Sequence, residues 1–281
     1  MSIRTVAPLV ALLPTLACSG GNDPVDPPDN DEQTLDNWTL VWQDEFDGAG
    51  LDGSRWSAQV GDGCAIDLCG WGNNELQWYD ADNATVAGGL LAITARDEAS
   101  NGKNYTSARL RTLGKGDWTY GRIDVRARLP LGRGLWPAIW MLPTDEMYGS
   151  WAASGEIDIV ELVGQAPGRV HGTLHYGGTF PANTNSGDHF DLGSGTFADA
   201  FHIFSIEWEK GEIRWYVDGD LYQTQTQWLS IGRPFPAPFD QRFHLILNVA
   251  VGGNWPGNPD GSTTFPQTME VDWIRVYEAR N

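Results

Sequence analysis

Basic residues are scarce in this sequence of 281 residues. It holds 18 Lys and Arg against 37 Asp and Glu, which gives a formal net charge of −19. Nucleic-acid binding needs clustered Lys and Arg to neutralise phosphates, so this balance argues against a nucleic-acid partner. The acidity is typical of a protein that stays soluble in a salty or extracellular setting, and it identifies no partner by itself.

Cysteine is also scarce, with three residues in the whole chain. Two of them, Cys64 and Cys69, lie in the segment GDGCAIDLCG. A zinc site there would need two further ligands, which the neighbouring residues do not offer. In an exported protein such a close pair predicts a disulfide that fixes a surface loop and stabilises the fold by about 2 kcal/mol.

Long apolar runs are absent except at the N-terminus. Arg4 precedes an apolar run from Val6 to Ala17, and small residues follow it. The run is too short for an ordinary membrane span and has the layout of a secretory signal. We therefore predict a signal peptide over residues 1–17 and export of the protein.

The segment after the apolar run leaves two forms of export open. Cys18 and the Ser-Gly-Gly that follows resemble the cleavage box of bacterial lipoproteins, but Thr15 stands where such boxes usually carry a large aliphatic residue. Lipid anchoring at Cys18 and plain secretion are both compatible with this pattern. Residues 18–34 are rich in Pro and Asp, which predicts a disordered linker. Residues 35–281 are even in composition and predict one folded domain, which we expect to be monomeric.

Helical periodicity is missing as well, since no window of a dozen residues shows an apolar stripe at helical spacing. GRIDVRARL instead alternates apolar and charged residues, and EIRWYVDGDLYQT reads as a hairpin with Asp218-Gly219 as its turn. Many short strands with Gly- and Pro-rich turns predict an all-β protein, an antiparallel sandwich or jelly roll. Curved strands of such a fold can leave a concave face.

The segment GEIDIVEL carries three acids in a stretch that otherwise reads as a strand. Glu156 and Asp158 are two residues apart and share a face, whereas strict alternation sends Glu161 to the other face. A β-bulge at Ile159-Val160 would return Glu161 to the face of the other two acids, and bulges are common beside active sites. The two glutamates could then bring their carboxylates within about 5–6 Å, as retaining glycosidases require.

Three neighbouring acids cannot all ionise easily, so one should hold a proton near neutral pH. The row would then supply one carboxylate nucleophile and one carboxylic acid. A solvated acidic strand face is the structural alternative, but the apolar residues between the acids predict a central strand, where such a face is costly. Calcium is the third interpretation, although calcium prefers ligands wrapped around it by a loop.

SGEIDIVE resembles the signature of glycoside hydrolase family 16, in the bulged form typical of bacterial laminarinases (endo-β-1,3-glucanases). The resemblance covers almost the whole folded part, in the family's order: LVWQDEFDG, WGNNELQWYD, TSARLRT, YGRIDVRARLP, GLWPAIWMLP, HGTLHYGG, FSIEWEKGEIRWYVDG, LNVAVGGNWPG and VDWIRVYE. It implies a two-sheet antiparallel jelly-roll sandwich (concanavalin A-like) with a substrate cleft across its concave sheet. It further implies that Glu156 is the nucleophile, Glu161 the acid/base and Asp158 a supporting carboxylate.

Several residues around the acids are candidates for sugar contacts. A Trp face suits the CH-rich face of a pyranose, and the resemblance places Trp136 and Trp151 in the cleft. For Trp140, core packing and sugar contact are equally compatible with the sequence. The remaining candidates depend on the resemblance alone: Arg109 and Asn74 on the non-reducing side, and His175 close to the acids. One departure from the family, Ala152 in YGSWAASGE where many relatives carry Pro, removes no functional group.

The family often holds one structural calcium ion far from the cleft. The resemblance implies backbone carbonyls of Glu45 and Gly89 and the carboxylate of Asp272 as its ligands. We expect no cofactor for catalysis.

The expected function is endo-hydrolysis of β-1,3-glucan, a polysaccharide, with retention of configuration. The same chemistry on mixed-linkage β-glucan or on a galactan such as agarose or carrageenan is the first alternative. A non-catalytic glucan-binding module is the second, but such relatives lose the acids that this chain keeps.

Overall fold

The structure of the protein, a computed structural model, describes residues 35–280. The predicted signal peptide, the linker and Cys18 lie outside these residues. The strands are β1 (Trp38–Asp44), β2 (Ser57–Ala58), β3 (Gln77–Tyr79), β4 (Ala84–Ala87), β5 (Leu90–Ser100), β6 (Lys103–Ser107), β7 (Arg109–Arg111), β8 (Asp117–Trp118), β9 (Gly121–Arg128), β10 (Leu135–Pro143), β11 (Glu156–Glu161), β12 (Arg169–Gly177), β13 (Asn183–Asp191), β14 (His202–Glu209), β15 (Glu212–Val217), β16 (Asp220–Gln225), β17 (Phe243–Val251) and β18 (Gln267–Ala279). The helical segments described are short 3₁₀ turns at Leu35–Asn37, Cys64–Ile66, Cys69–Gly72 and Ala81–Asn83.

Two sheets make up the fold, and every strand pair except β3 with β6 is antiparallel. The front sheet has eight strands in the order β13-β12-β11-β10-β17-β7-β2, with β8 added to β17. The back sheet has ten strands in the order β16-β15-β14-β9-β18-β5-β6-β3, with β1 on β18 and β4 on β5. The predicted all-β sandwich is confirmed. Strand β11, which carries the three acids, lies near the middle of the front sheet.

Strand β9 shows why these residues form a sandwich. Its apolar residues Ile123, Val125 and Ala127 are fully buried, as the alternation predicts. The charged residues between them were expected on an outer face, but Arg122 and Asp124 are buried too. They can be buried because they neutralise each other, with Arg122 Nε 2.9 Å from both carboxylate oxygens of Asp124.

The predicted hairpin is present as β15 and β16. Asp218 and Gly219 join the two strands with φ values of 50° and 84°. Two positive φ values in succession are what a type I′ turn needs, and its twist matches that of the paired strands. The Asp-Gly pair of the sequence therefore specifies this turn.

The loop between β2 and β3 holds the predicted disulfide, which joins Cys64 to Cys69. Directly after it, the indole N–H of Trp71 donates to the carbonyl of Gly61 at 3.2 Å, so the loop closes on itself. Trp71 in turn packs on Arg109 of the front sheet. Among residues 35–280 no helix has the length and apolar character needed to cross a membrane.

Candidate active site

A β-bulge in β11 brings the three acids to one face of the front sheet. Asp158 lies opposite Trp140 of β10 and Thr173 of β12, and Glu161 lies opposite Ala138 and His171 of the same strands. Three steps along β11 therefore match two steps along each neighbour. The predicted bulge at Ile159-Val160 is confirmed, and it returns Glu161 to the side of Glu156 and Asp158.

One row of directly opposed residues crosses the front sheet at Glu161. Because directly opposed residues share a face, the members of this row all lie on the side of the acids. From β7 to β13 the row is Arg109, Asn248, Ala138, Glu161, His171 and His189. Trp140, opposite Asp158, is on the same side, so it faces the acids and not the core between the sheets.

Each acid has a specific neighbour. The indole N–H of Trp151 donates to Glu156 Oε2 at 2.8 Å, and that of Trp136 donates to Glu161 Oε1 at 3.0 Å. His175 Nε2 lies 3.3 Å from Asp158 Oδ2 and 3.6 Å from Glu156 Oε1. The predicted residues Trp136, Trp151 and His175 are therefore gathered around the acids.

Burial and mutual repulsion raise the pKa values of both glutamates. Burial, and then the charge of Asp158, raises the pKa of Glu156 to about 7. Burial and the charges of Asp158 and Glu156 raise the pKa of Glu161 well above its usual range. Burial alone would lower the pKa of His175, but its contact with Asp158 and the charge of Glu156 raise it to about 10. Near neutral pH, Glu161 is therefore protonated while Glu156 can ionise beside a cationic His175.

Arg109, a predicted contact for sugar hydroxyl groups, is buried. It lies on the face of the front sheet that carries the acids, yet it is only 7% exposed. Its guanidinium lies over the rings of Trp71 and Trp140, with 4.4 and 4.7 Å to the ring centroids, and its Nε donates to Gln59 Oε1 at 2.8 Å. The two rings and Gln59 together hold the guanidinium in one orientation.

Asn74 lies at the end of the site where the loops after β2 and β17 meet. It has a left-handed backbone with φ 58°, and its side-chain amide donates to Asn254 Oδ1 at 2.8 Å. The structure thus links Asn74 to the loop that carries Trp255, and not to Arg109.

Trp255 is a residue of the site that sequence reasoning missed. The residue is 42% exposed, and its ring packs edge-on against Trp136 and His171, at centroid distances of 5.4 and 5.1 Å. Trp136 is bonded to Glu161, so Trp255 extends the aromatic wall outward from the acids. The signal available in the sequence was the position of this Trp inside the turn-rich segment GGNWPG.

Glu75 is a second residue that sequence reasoning missed. Its carboxylate accepts from Gln77 Nε2 at 2.6 Å and from the Tyr79 hydroxyl at 3.1 Å, and burial raises its pKa. Its position behind Arg109 follows from the fold, and no local pattern in WGNNELQWYD reveals it.

A two-sheet β-sandwich with a bulged row of carboxylates and an aromatic wall is the architecture of a polysaccharide-cleaving enzyme of the paired-carboxylate class. Comparison with known proteins identifies the family within this class. Residues 72–275 match the family described as Glycosyl hydrolases family 16, and the chain belongs to this family.

Individual relatives agree with this membership. The chain is 46% identical over 265 residues to a protein of Rhodothermus marinus named Beta-glucanase, with 86% of this chain and 85% of that protein covered. It is 44% identical over 256 residues to Glucan endo-1,3-beta-glucosidase A1 of Niallia circulans, covering 85% of this chain but only 38% of that longer protein. The laminarinase catalytic domain of Thermotoga maritima superposes with a TM-score of 0.79 at 45% identity, covering 87% of this chain and all of that domain.

Proposed function

We propose that the protein is an endo-acting hydrolase of β-1,3-glucan that retains the anomeric configuration. The observation that carries the proposal is the bulge of β11, which places Glu156 and Glu161 on one face with an indole N–H donor at each carboxylate, because retaining cleavage needs two carboxyl groups that face the same substrate. Relatives named for β-1,3-glucan or laminarin hydrolysis support the choice of substrate.

The proposed reaction has two steps. In the first, Glu156 attacks the anomeric carbon while Glu161 gives its proton to the glycosidic oxygen, so that the C–O bond breaks and a glycosyl ester forms on Glu156. In the second, Glu161 takes a proton from water, whose oxygen attacks the same carbon and releases Glu156. Asp158 holds His175 beside Glu156, where the cation favours the ionised nucleophile.

The polysaccharide is proposed to contact the residues that the sequence singled out. Trp136, Trp140 and Trp151 would face sugar rings, and Arg109, Asn74 and His175 would meet hydroxyl groups. The position of Trp140 opposite Asp158 and the hydrogen bonds of Trp136 and Trp151 to the two glutamates support this assignment.

A polysaccharide panel tests the function. Release of reducing ends from laminarin should exceed release from mixed-linkage β-glucan, agarose and carrageenan, and NMR should show the β-anomer as the first product. Preferential cleavage of another glycan would favour the first alternative, and binding without cleavage would favour a glucan-binding module. An α-anomer as the first product would contradict retention.

A structural calcium ion on the back sheet is also proposed. Asp44 of β1 lies opposite Ile274 and Leu91 of β5 lies opposite Val271, so Glu45, Gly89 and Asp272 come to one region of β18. Asp272 is the extra residue of a bulge between Val271 and Trp273. The donor set of two carbonyls and one carboxylate suits calcium, although the ion would compete with Arg126, which pairs with Asp272.

Chelation tests this calcium site. Because an ion that binds only the native state stabilises it, a chelator should lower the melting temperature while leaving activity well below that temperature intact. Loss of turnover with an unchanged melting temperature would contradict a structural role.

Export remains a proposal for residues outside the described range. The intact mass of the mature protein should show cleavage before Cys18, and an added diacylglycerol mass would distinguish lipid anchoring from plain secretion. A mature chain that still begins at Met1 would contradict export by this signal.

A further inference from the structure

A cavity of about 400 Å³ lies beside the acids, on the side of the front sheet toward β7. Trp151 forms part of its wall, and because Trp151 also donates to Glu156, the cavity is continuous with the active site. Its floor includes the side chains of Arg109, Arg111 and His244, none of which is exposed. A sugar chain that crosses the front sheet from the acids toward β7 would reach this floor.

Arg111 is the unusual member of the floor. Its Nε is buried and has no hydrogen-bond acceptor, and within residues 35–280 the guanidinium has no carboxylate within ion-pair distance. In contrast, Arg128 of the back sheet and Arg242 at the rim of the front sheet each pair with an acid. Arg111 as a whole is only partly buried, and its two terminal nitrogens, unlike Nε, are not sealed from solvent, so they are the donors that a ligand in the cavity could reach.

The floor of the cavity is electrically positive although the chain as a whole is acidic. Burial, followed by the charges of Arg111 and Arg109, lowers the pKa of His244 to about 4, so this histidine is neutral near pH 7. Glu75 and Glu156 are close enough to Arg109 to offset its charge, so Arg111 is the cation of the floor that is left to attract an anion.

Two carboxylates also line the cavity, but both are exposed. Asp145 is held by Arg242 at 2.9 Å, and Glu146 lies at the solvent side of the same loop. Charges in water interact much more weakly than charges in a protein interior, so these two carboxylates oppose Arg111 only weakly at the floor.

We propose that this cavity is a subsite for a sugar unit that carries an anionic group, a carboxylate at C6 or a sulfate ester, bound by Arg111. The guanidinium offers parallel N–H donors that match two oxygens of either anion. This inference rests on the proposed glucanase function and specifies its substrate class: glucans with scattered anionic substituents, one of which lies on the β7 side of the acids.

The test compares neutral laminari-oligosaccharides with the same oligosaccharides carrying one C6 carboxylate, or one sulfate, at the non-reducing end. The ratio of kcat/KM for charged over neutral substrate should fall about tenfold in Arg111→Gln, since hydrogen bonds to charged groups contribute more than neutral ones. Arg111→Lys should retain part of the ratio, which separates loss of charge from misfolding. Added salt should lower the ratio in the wild type and not in Arg111→Gln.

Arg128→Gln is the matched control, because it removes the same charge from a strand of the back sheet. An equal fall of the ratio in this control, or an unchanged ratio in Arg111→Gln, would overturn the subsite. Calorimetry, which measures binding of the charged oligosaccharides without turnover, tests the subsite separately from the proposed glucanase function. If the wild type cleaves no β-1,3-glucan, the proposed function fails, while weaker binding by Arg111→Gln still supports the subsite and unchanged binding overturns it.

Discussion

Strands β9 and β11 both place charged residues on one face, yet the two strands use charge in opposite ways. On β9 of the back sheet the charges are paired: Arg122 with Asp124, Arg126 with Asp272, and Arg128 with Glu270. On β11 of the front sheet the three charged residues are all acids, and His175 is the cation that contacts two of them. Like charges are therefore gathered at the active site, whereas the charges of β9 neutralise one another within the back sheet.

The difference appears in the acidities. Glu207 of the back sheet is half-buried, which tends to raise its pKa, but hydrogen bonds from Tyr216 and Arg214 lower it overall. Glu156 of the front sheet is more deeply buried, and burial together with repulsion from Asp158 raises its pKa to about 7. Burial and the nearest charges together thus decide whether a strand carboxylate can hold a proton.

The largest effect is expected from Glu156→Gln. The amide keeps the shape and polarity of the side chain but cannot attack the anomeric carbon, so turnover of laminarin should fall by a factor on the order of 10³ or more. Binding of laminarin, measured by calorimetry, should remain. Appreciable turnover by this variant would show that Glu156 is not the nucleophile.

Glu161→Ala should have the next largest effect, and the effect should depend on the substrate. A general acid contributes a factor of roughly 10²–10⁴ when the leaving group is a poor one, as a glucosyl unit is. An aryl glucoside with an acidic phenol needs little protonation, so its glycosylation rate should fall much less than that of laminarin. Equal losses on both substrates would contradict the acid role.

Asp158→Asn tests the electrostatic coupling and should reduce turnover less than Glu156→Gln does. Removing the negative charge of Asp158 removes a cause of the raised pKa of Glu156, which is about 7 in the wild type. Since Glu156 must be ionised to attack, the rise of kcat/KM on the acidic side should move to lower pH. A pH profile of kcat/KM measures this, and a shift to higher pH would contradict the proposed repulsion.

Much of this comparison could be predicted from the sequence. Alternation in GRIDVRARL and the spacing of acids in GEIDIVEL are local patterns, so the strands, the hairpin turn and the bulge could be predicted. The bulge was predicted because strict alternation of side chains would place Glu161 on the face opposite Glu156 and Asp158. The assignment of roles to Glu156 and Glu161 came from a resemblance, and the separation of their acidities now supports it.

Contacts between distant segments could not be predicted. Arg109 is buried because Trp71, brought in by the disulfide loop, stacks on it, and Arg122 of β9 also pairs with Glu207 of β14. Trp255 reaches the site through a loop that follows β17, far along the chain from the acids. Such positions depend on sheet order, which strand patterns alone do not specify.

The smallest effect is expected from Glu270→Gln on the back sheet. Glu270 lies directly opposite Arg128, and the two form an ion pair across β18 and β9. Both side chains are partly exposed, so the pair should contribute no more than about 1 kcal/mol to the free energy of unfolding. Urea denaturation at low and at high salt should show a small loss that shrinks further as salt screens the pair. Turnover of laminarin should not change, because the residue belongs to the sheet that carries no catalytic acid. A fall in kcat without loss of stability would mean that the back sheet influences the acids through the core. The assignment of stability to the back sheet and of chemistry to the front sheet would then be wrong.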